Sequence, residues 1–162
     1  MSKGHPIELF MPPNMLKAKV GGSYSGIDTA AIMRAESAMQ TLKVEFGEWC
    51  VQDVNRLSEC RERFASNRNA GSRKDLLRAS LDIKGQAATF EFPLVARVAA
   101  SLCKLIQAIP EPERIPLMLV DAHVTAIRII FRDNIKDISN PMALELLKEL
   151  EARVTEIAGP SV

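Results

Sequence analysis

With 162 residues, 47% of them hydrophobic and 25% charged, the chain has enough apolar material for one well-packed domain and too little length for two. A formal net charge of +1 excludes global attraction to nucleic acid or to an anionic membrane surface. Aromatic residues make up only 5%, which favours an aliphatic helical core over a β-sandwich, and no apolar run approaches the roughly 18–20 residues that a membrane-spanning helix needs.

The first residues, M-S-K-G-H-P-I-E-L-F, lack the apolar stretch of a secretory signal. Cys50, Cys60 and Cys103 leave one thiol unpaired and show no C-x-x-C spacing, so reduced thiols in a cytoplasmic protein are expected. Residues 1–26 read as an irregular lead-in, because Pro6, Pro12 and Pro13 exclude a regular helix and Gly21, Gly22 and Gly26 loosen the chain. Met15–Val20 could form an extended segment or a docking turn within it. One helical domain over 27–158 and a tail at 159–162 complete the expected organisation.

Asp28 or Thr29 is the expected N-cap of a first helix with Ile32, Ala35, Met39 and Leu42 on one stripe. A second helix is predicted from about Val44 to Phe64, where Phe46, Cys50, Val54, Leu57, Cys60 and Phe64 recur near helical spacing. The polar stretch Ser66–Ser72 should break it. A third helix is predicted over about Arg73–Thr89, which takes in most of the stretch Leu76–Phe92. It puts Leu76, Ala79, Ser80, Ile83, Ala87 and Phe90 on a core-facing side. The other side carries Leu77, Leu81, Lys84, Gly85 and Ala88, and two leucines are unusual on a face that should be solvated. A glycine inside a helix costs about 1 kcal/mol relative to alanine, so Gly85 suggests close approach by something else.

Pro93 opens a fourth helix with Leu94, Val98, Leu102 and Leu105, and Pro110 ends it. A fifth helix is expected from about Ile115 to Arg132, with Val120, His123, Val124, Ile127, Ile130 and Phe131 on or near its apolar side. Asn140-Pro141 signals the start of a last helix, from Met142 to about Ile157, with Leu146, Leu147, Leu150 and Val154 as its stripe. Amphipathic helices joined by short breaks, with no β-alternation, predict an all-α antiparallel bundle.

Catalytic and ligand motifs are sparse. No Gly-rich phosphate loop, H-E-x-x-H, G-x-S-x-G or Cys/His metal spacing occurs, so no cofactor, no metal and no enzymatic activity are expected. Glu48/Asp53 and Glu145/Glu149/Glu151 sit at helix-surface spacings and are expected to be solvated or paired. His5 lies in the lead-in, and His123 falls on an apolar side, where a hydrogen-bonded core histidine is the ordinary outcome. Arg61, Arg63, Arg68, Arg73, Lys74, Arg78 and Lys84 outnumber Glu62, Asp75 and Asp82. They form either a solvated helix end or a basic rim that steers an acidic protein partner; nucleic acid is disfavoured, because no aromatic interleaving accompanies the charge.

The run A-S-L-D-I-K-G-Q-A-A-T-F-E-F, Ala79–Phe92, resembles the signature of histidine-containing phosphotransfer (HPt) domains. Lys84-Gly85, the preceding Ile83 and the following Phe90 match that pattern. Met11–Val20, Pro93–Cys103 and the helix around His123 are similar to single-domain alphaproteobacterial members. The resemblance implies an antiparallel four-helix bundle of HPt type with an additional terminal helix or helices. It further implies a two-component signalling role and a response-regulator receiver domain or histidine kinase as partner. Two positions depart from the pattern. Leu81 occupies the acceptor position, and an aliphatic side chain has no lone pair with which to accept a phosphoryl group. Glu91 stands where the family usually has glycine. Lys84, which in the family helps neutralise phosphoryl oxygens, and Gly85, which leaves space for the receiver, are kept.

The expectation is therefore an HPt-like adaptor or inhibitor that binds its partner through Leu77, Arg78, Leu81, Lys84, Gly85, Ala88 and Glu91 without carrying phosphate at Leu81. Two alternatives stand beside it. One moves phosphotransfer to another residue such as His123. The other is a helical homodimer unrelated to phosphorelay, with Leu77 and Leu81 in its seam.

Overall fold

The computed structural model describes residues 28–159, which are all-helical: α1 (Thr29–Ser66), α2 (Ala70–Thr89), α3 (Pro93–Ala108), α4 (Leu117–Arg132) and α5 (Pro141–Ala158), with a 3-10 turn at Pro112–Arg114 and no strand among the described residues. The expectations for the lead-in, His5 and Met15–Val20, and for the tail beyond Gly159, lie outside the described residues. None of the described helices is long and apolar enough to cross a membrane.

The chain falls into two units, 1–41 and 42–162. The described part of the first is the start of α1. Asp28 caps it, its Oδ1 accepting from the Ala31 N–H at 3.3 Å, and every residue from Asp28 to Thr41 is exposed. The expected stripe Ile32, Ala35 and Met39 is therefore solvent-facing.

The break expected between two helices near Lys43 does not occur, and α1 runs through it for 38 residues. Nothing in Gln40-Thr41-Leu42-Lys43-Val44-Glu45 opposes helix, since the segment lacks both proline and glycine. Gly47 is the weak point that α1 tolerates, at about 1 kcal/mol. The true break is short. Asn69 accepts from the Ser72 N–H at 2.8 Å while the Ser72 hydroxyl accepts from the Asn69 N–H at 3.1 Å, a reciprocal cap that starts α2 at Ala70, earlier than the polar composition of 66–72 suggested.

In the second unit α3 is the central helix. Leu94, Val95, Val98, Ala99, Leu102, Leu105 and Ile106 are all buried, and the helix packs against α2, α4 and α5. Leu57, Cys60 and Phe64 of α1 close the same core, as their spacing predicts. The α2 stripe is buried as expected through Leu76, Ala79, Ser80, Ile83 and Ala87. Phe90 departs from it. The helix ends at Thr89, so Phe90 is its C-cap, and its exposed ring lies 4.5 Å from Phe46 and 5.3 Å from Trp49. In α5, Leu146 faces solvent and Ala143 takes the buried place beside Leu147, Leu150 and Val154.

Two helix ends share one geometry. After α2 the Phe92 N–H reaches the Ala87 carbonyl at 2.9 Å, with Glu91 at φ +62°. After α4 the Ile135 N–H reaches Ile130 at 3.0 Å, with Asn134 at φ +51°. Both are Schellman closures, whose left-handed position suits glycine or asparagine. Glutamate has neither glycine's freedom nor asparagine's local hydrogen bonding, so the α2 end carries backbone strain.

Candidate functional site

The outward side of α2 presents Arg78, Leu81, Lys84, Gly85 and Ala88, all exposed, with Leu81 at 43% of its full accessibility. Leu77 sits at the edge of this face, half-buried against the core rather than free as its spacing implied. A side chain added at Gly85 would meet no atom within 4 Å, so no part of the described chain uses the space the glycine leaves. Glu91 is exposed at the end of the same helix.

Beside Leu81 a cleft of about 390 Å³ opens between α2 and α1, bounded by Asp82 and Gly85 on one side and Trp49, Asp53 and Arg56 on the other. Arg56 Nη1 donates to Asp82 Oδ2 at 3.2 Å across the two helices, about half-exposed, so it adds little stability. Burial, then the neighbouring Asp82, raises the Asp53 carboxyl above its ordinary range, while Arg56 opposes. Asp53 therefore faces the cleft and is only partly solvated. The α1 side was missing from the sequence expectation. Its one signal is that Trp49, Asp53 and Arg56 recur at helical spacing on one face.

Arginines of the expected basic rim are drawn inward. Arg61 pairs with both carboxylate oxygens of Asp121 through its Nε and Nη2, the Nη2 bond being 2.7 Å, and so ties α1 to α4. Arg68 donates to the Ile115 carbonyl and lies over the Phe64 ring. Arg73 caps the end of α3, donating to Ile106 and Ile109 at 2.7 and 3.2 Å. Lys74, Arg78 and Lys84 remain as the exposed cations of α2. Lys84 comes near enough to Cys103 to oppose, weakly, the burial that pushes this thiol up to about 11. Cys50 is likewise pushed up to about 11, first by burial and then by Asp53, so both thiols stay protonated near neutrality.

His123 is fully buried. Its Nδ1 lies 2.7 Å from the Leu119 carbonyl, which can only accept, so Nδ1 carries the proton. Nε2, 3.0 Å from Ser101 Oγ, then accepts from that hydroxyl. Burial lowers the imidazole pKa, against a smaller upward effect of the Leu119 bond. The ring is neutral, doubly bonded and sealed. Among the described residues no three His, Cys, Asp or Glu side chains are placed to hold a metal.

Comparison with family models, with curated proteins and with solved structures gives no match.

Proposed function

We propose that this chain is an HPt-like signalling protein that docks a response-regulator receiver domain, or the kinase that feeds it, on the α2 face centred on Leu81, and carries no phosphate there. In this reading the helices form an antiparallel four-helix bundle of HPt type with an additional terminal helix. The observation that supports it most is the exposure of Leu81 in the middle of a smooth, weakly basic face, next to a glycine whose missing side chain serves nothing else in the described chain. The left-handed backbone at Glu91 agrees with the glycine that the resemblance implies there.

Leucine at this position forbids the covalent step and favours apolar contact. A phosphoryl acceptor must offer a lone pair, and His123, the one imidazole among the described residues, is buried with both nitrogens committed. The chain therefore acts as a competitor or scaffold for its partner.

The test is incubation with phosphorylated receiver domains and with their unphosphorylated forms. A complex with one receiver, no acid-labile phosphate on this chain, and loss of the complex on Leu81→Asp are expected. Stoichiometric labelling of this chain would sink the proposal.

A further inference from the structure

A second cleft, larger than the one beside Leu81 and different in character, lies between α1 and α4. It has a volume of about 640 Å³, within the range of small-molecule sites. Its lining is largely apolar, with Val51 and Val54 on α1, Ile129 on α4, and Phe92 and Phe131, and it is interrupted by the polar side chains of Asn55, Thr125 and Asn134. Arg128 stands exposed in its lining, and no carboxylate pairs with it among the described residues, whereas the neighbouring Arg132 is already bonded to Asp133.

Gly47 also lines this cleft, and a Cβ there would meet nothing within 4 Å. It lies inside the continuous helix α1 at ordinary backbone angles, so neither a turn nor close packing requires a glycine. A side chain there would enter open space at the cleft's edge, and no contact among the described residues accounts for the glycine.

We infer that this cleft is a binding site for a small anion with an apolar body, such as a medium-chain carboxylate, whose chain lies over Val51, Val54 and Ile129 and whose charge meets Arg128. A guanidinium with no carboxylate partner among the described residues, set in a largely apolar lining, is complementary to one negative charge on a hydrophobic molecule. The site is separate from the Leu81 face, and the inference does not depend on the function proposed for that face.

The chain's single tryptophan, Trp49, lines the cleft beside Leu81. It senses the larger cleft through Phe46, which borders that cleft and whose ring centroid is 6.0 Å from its own, so the variants assign any change in its emission to this site. The full chain is titrated with decanoate below its micellar concentration, and with decan-1-ol and decyltrimethylammonium, while Trp49 emission is followed. Saturable binding of decanoate, weaker binding of the alcohol and least of the cation are expected. Arg128→Glu should weaken decanoate by about fivefold to tenfold and leave the alcohol unchanged. Gly47→Leu should weaken both by more than about tenfold while the unfolding midpoint stays or rises, because leucine is the better helix former. Equal affinity for the three probes, no saturable response, or undiminished binding to Gly47→Leu would each overturn the inference. So would a dimer in a sizing run that Gly47→Leu dissociates, since a second copy would then own the cleft.

Discussion

Leu81 and His123 occupy opposite situations. The outward face of α2 is open to solvent but carries a side chain with no lone pair. The interior of α4 holds an imidazole with the right chemistry but no access, its two nitrogens bonded to Leu119 and Ser101. Phosphoryl transfer needs both properties in one residue. The difference shows that a reactive residue type and a reactive site are separate achievements of a fold: one follows from composition, the other from exposure and partners.

The largest expected effect restores both properties together. Leu81→His should convert a chain with no labelling into one that takes phosphate from a cognate phosphorylated receiver, and His123→Gln in that background should leave labelling unchanged. If the histidine variant stays unlabelled while still binding the receiver, Lys84 and Gly85 do not suffice to complete the site.

The interior can be tested by stability. Leu102→Ala, in the middle of the fully buried face of α3, should cost about 2–5 kcal/mol in denaturant unfolding. Leu81→Ala, on the open face, should change stability by no more than about 0.5 kcal/mol while weakening the receiver complex. Comparable losses at the two positions would mean that Leu81 packs inside the fold.

The pH dependence sharpens the comparison further. The folded pKa of His123 lies below its unfolded value near 6.5, so its contribution to stability is fully present above that pH. As pH falls below about 6.5 the unfolded chain takes up a proton that the folded chain refuses. Stability then declines by at most about 1.4 kcal/mol per pH unit until the lower folded pKa is reached. Unfolding of the native chain and of His123→Gln, measured from pH 7 to pH 5, should diverge in slope. Parallel curves would show that the ring is hydrated and titrates normally.

The smallest effect concerns the end of α2. Glu91→Gly removes the left-handed strain but loosens the unfolded chain, leaving a net gain of about 1 kcal/mol or less. The same change at Asn134 should gain less, because asparagine already tolerates this region.

Much of this molecule is written locally. The caps Asp28 and Asn140, Pro93 at the first position of α3, the buried stripes of α2 and α3, and the open position of Leu81 all follow from residues within a few turns of one another. Helical period and capping act over that distance, so the sequence alone determined the all-helical class, most of the core faces of α2 to α5 and the aliphatic side chain at Leu81, though not the unbroken run of α1 through Lys43. Where two local signals competed, it misled: the polar run 66–72 hid the Asn69–Ser72 cap, and Phe90 kept the period after its helix had ended. Only the tertiary structure decided which distant groups meet. Arg61 finds Asp121 sixty positions away, Ser101 satisfies His123, and Trp49, Asp53 and Arg56 come to line the cleft beside Leu81. It also left Gly47 open over an apolar cleft. These depend on how helix faces are packed against one another, which periodicity within a single helix does not encode.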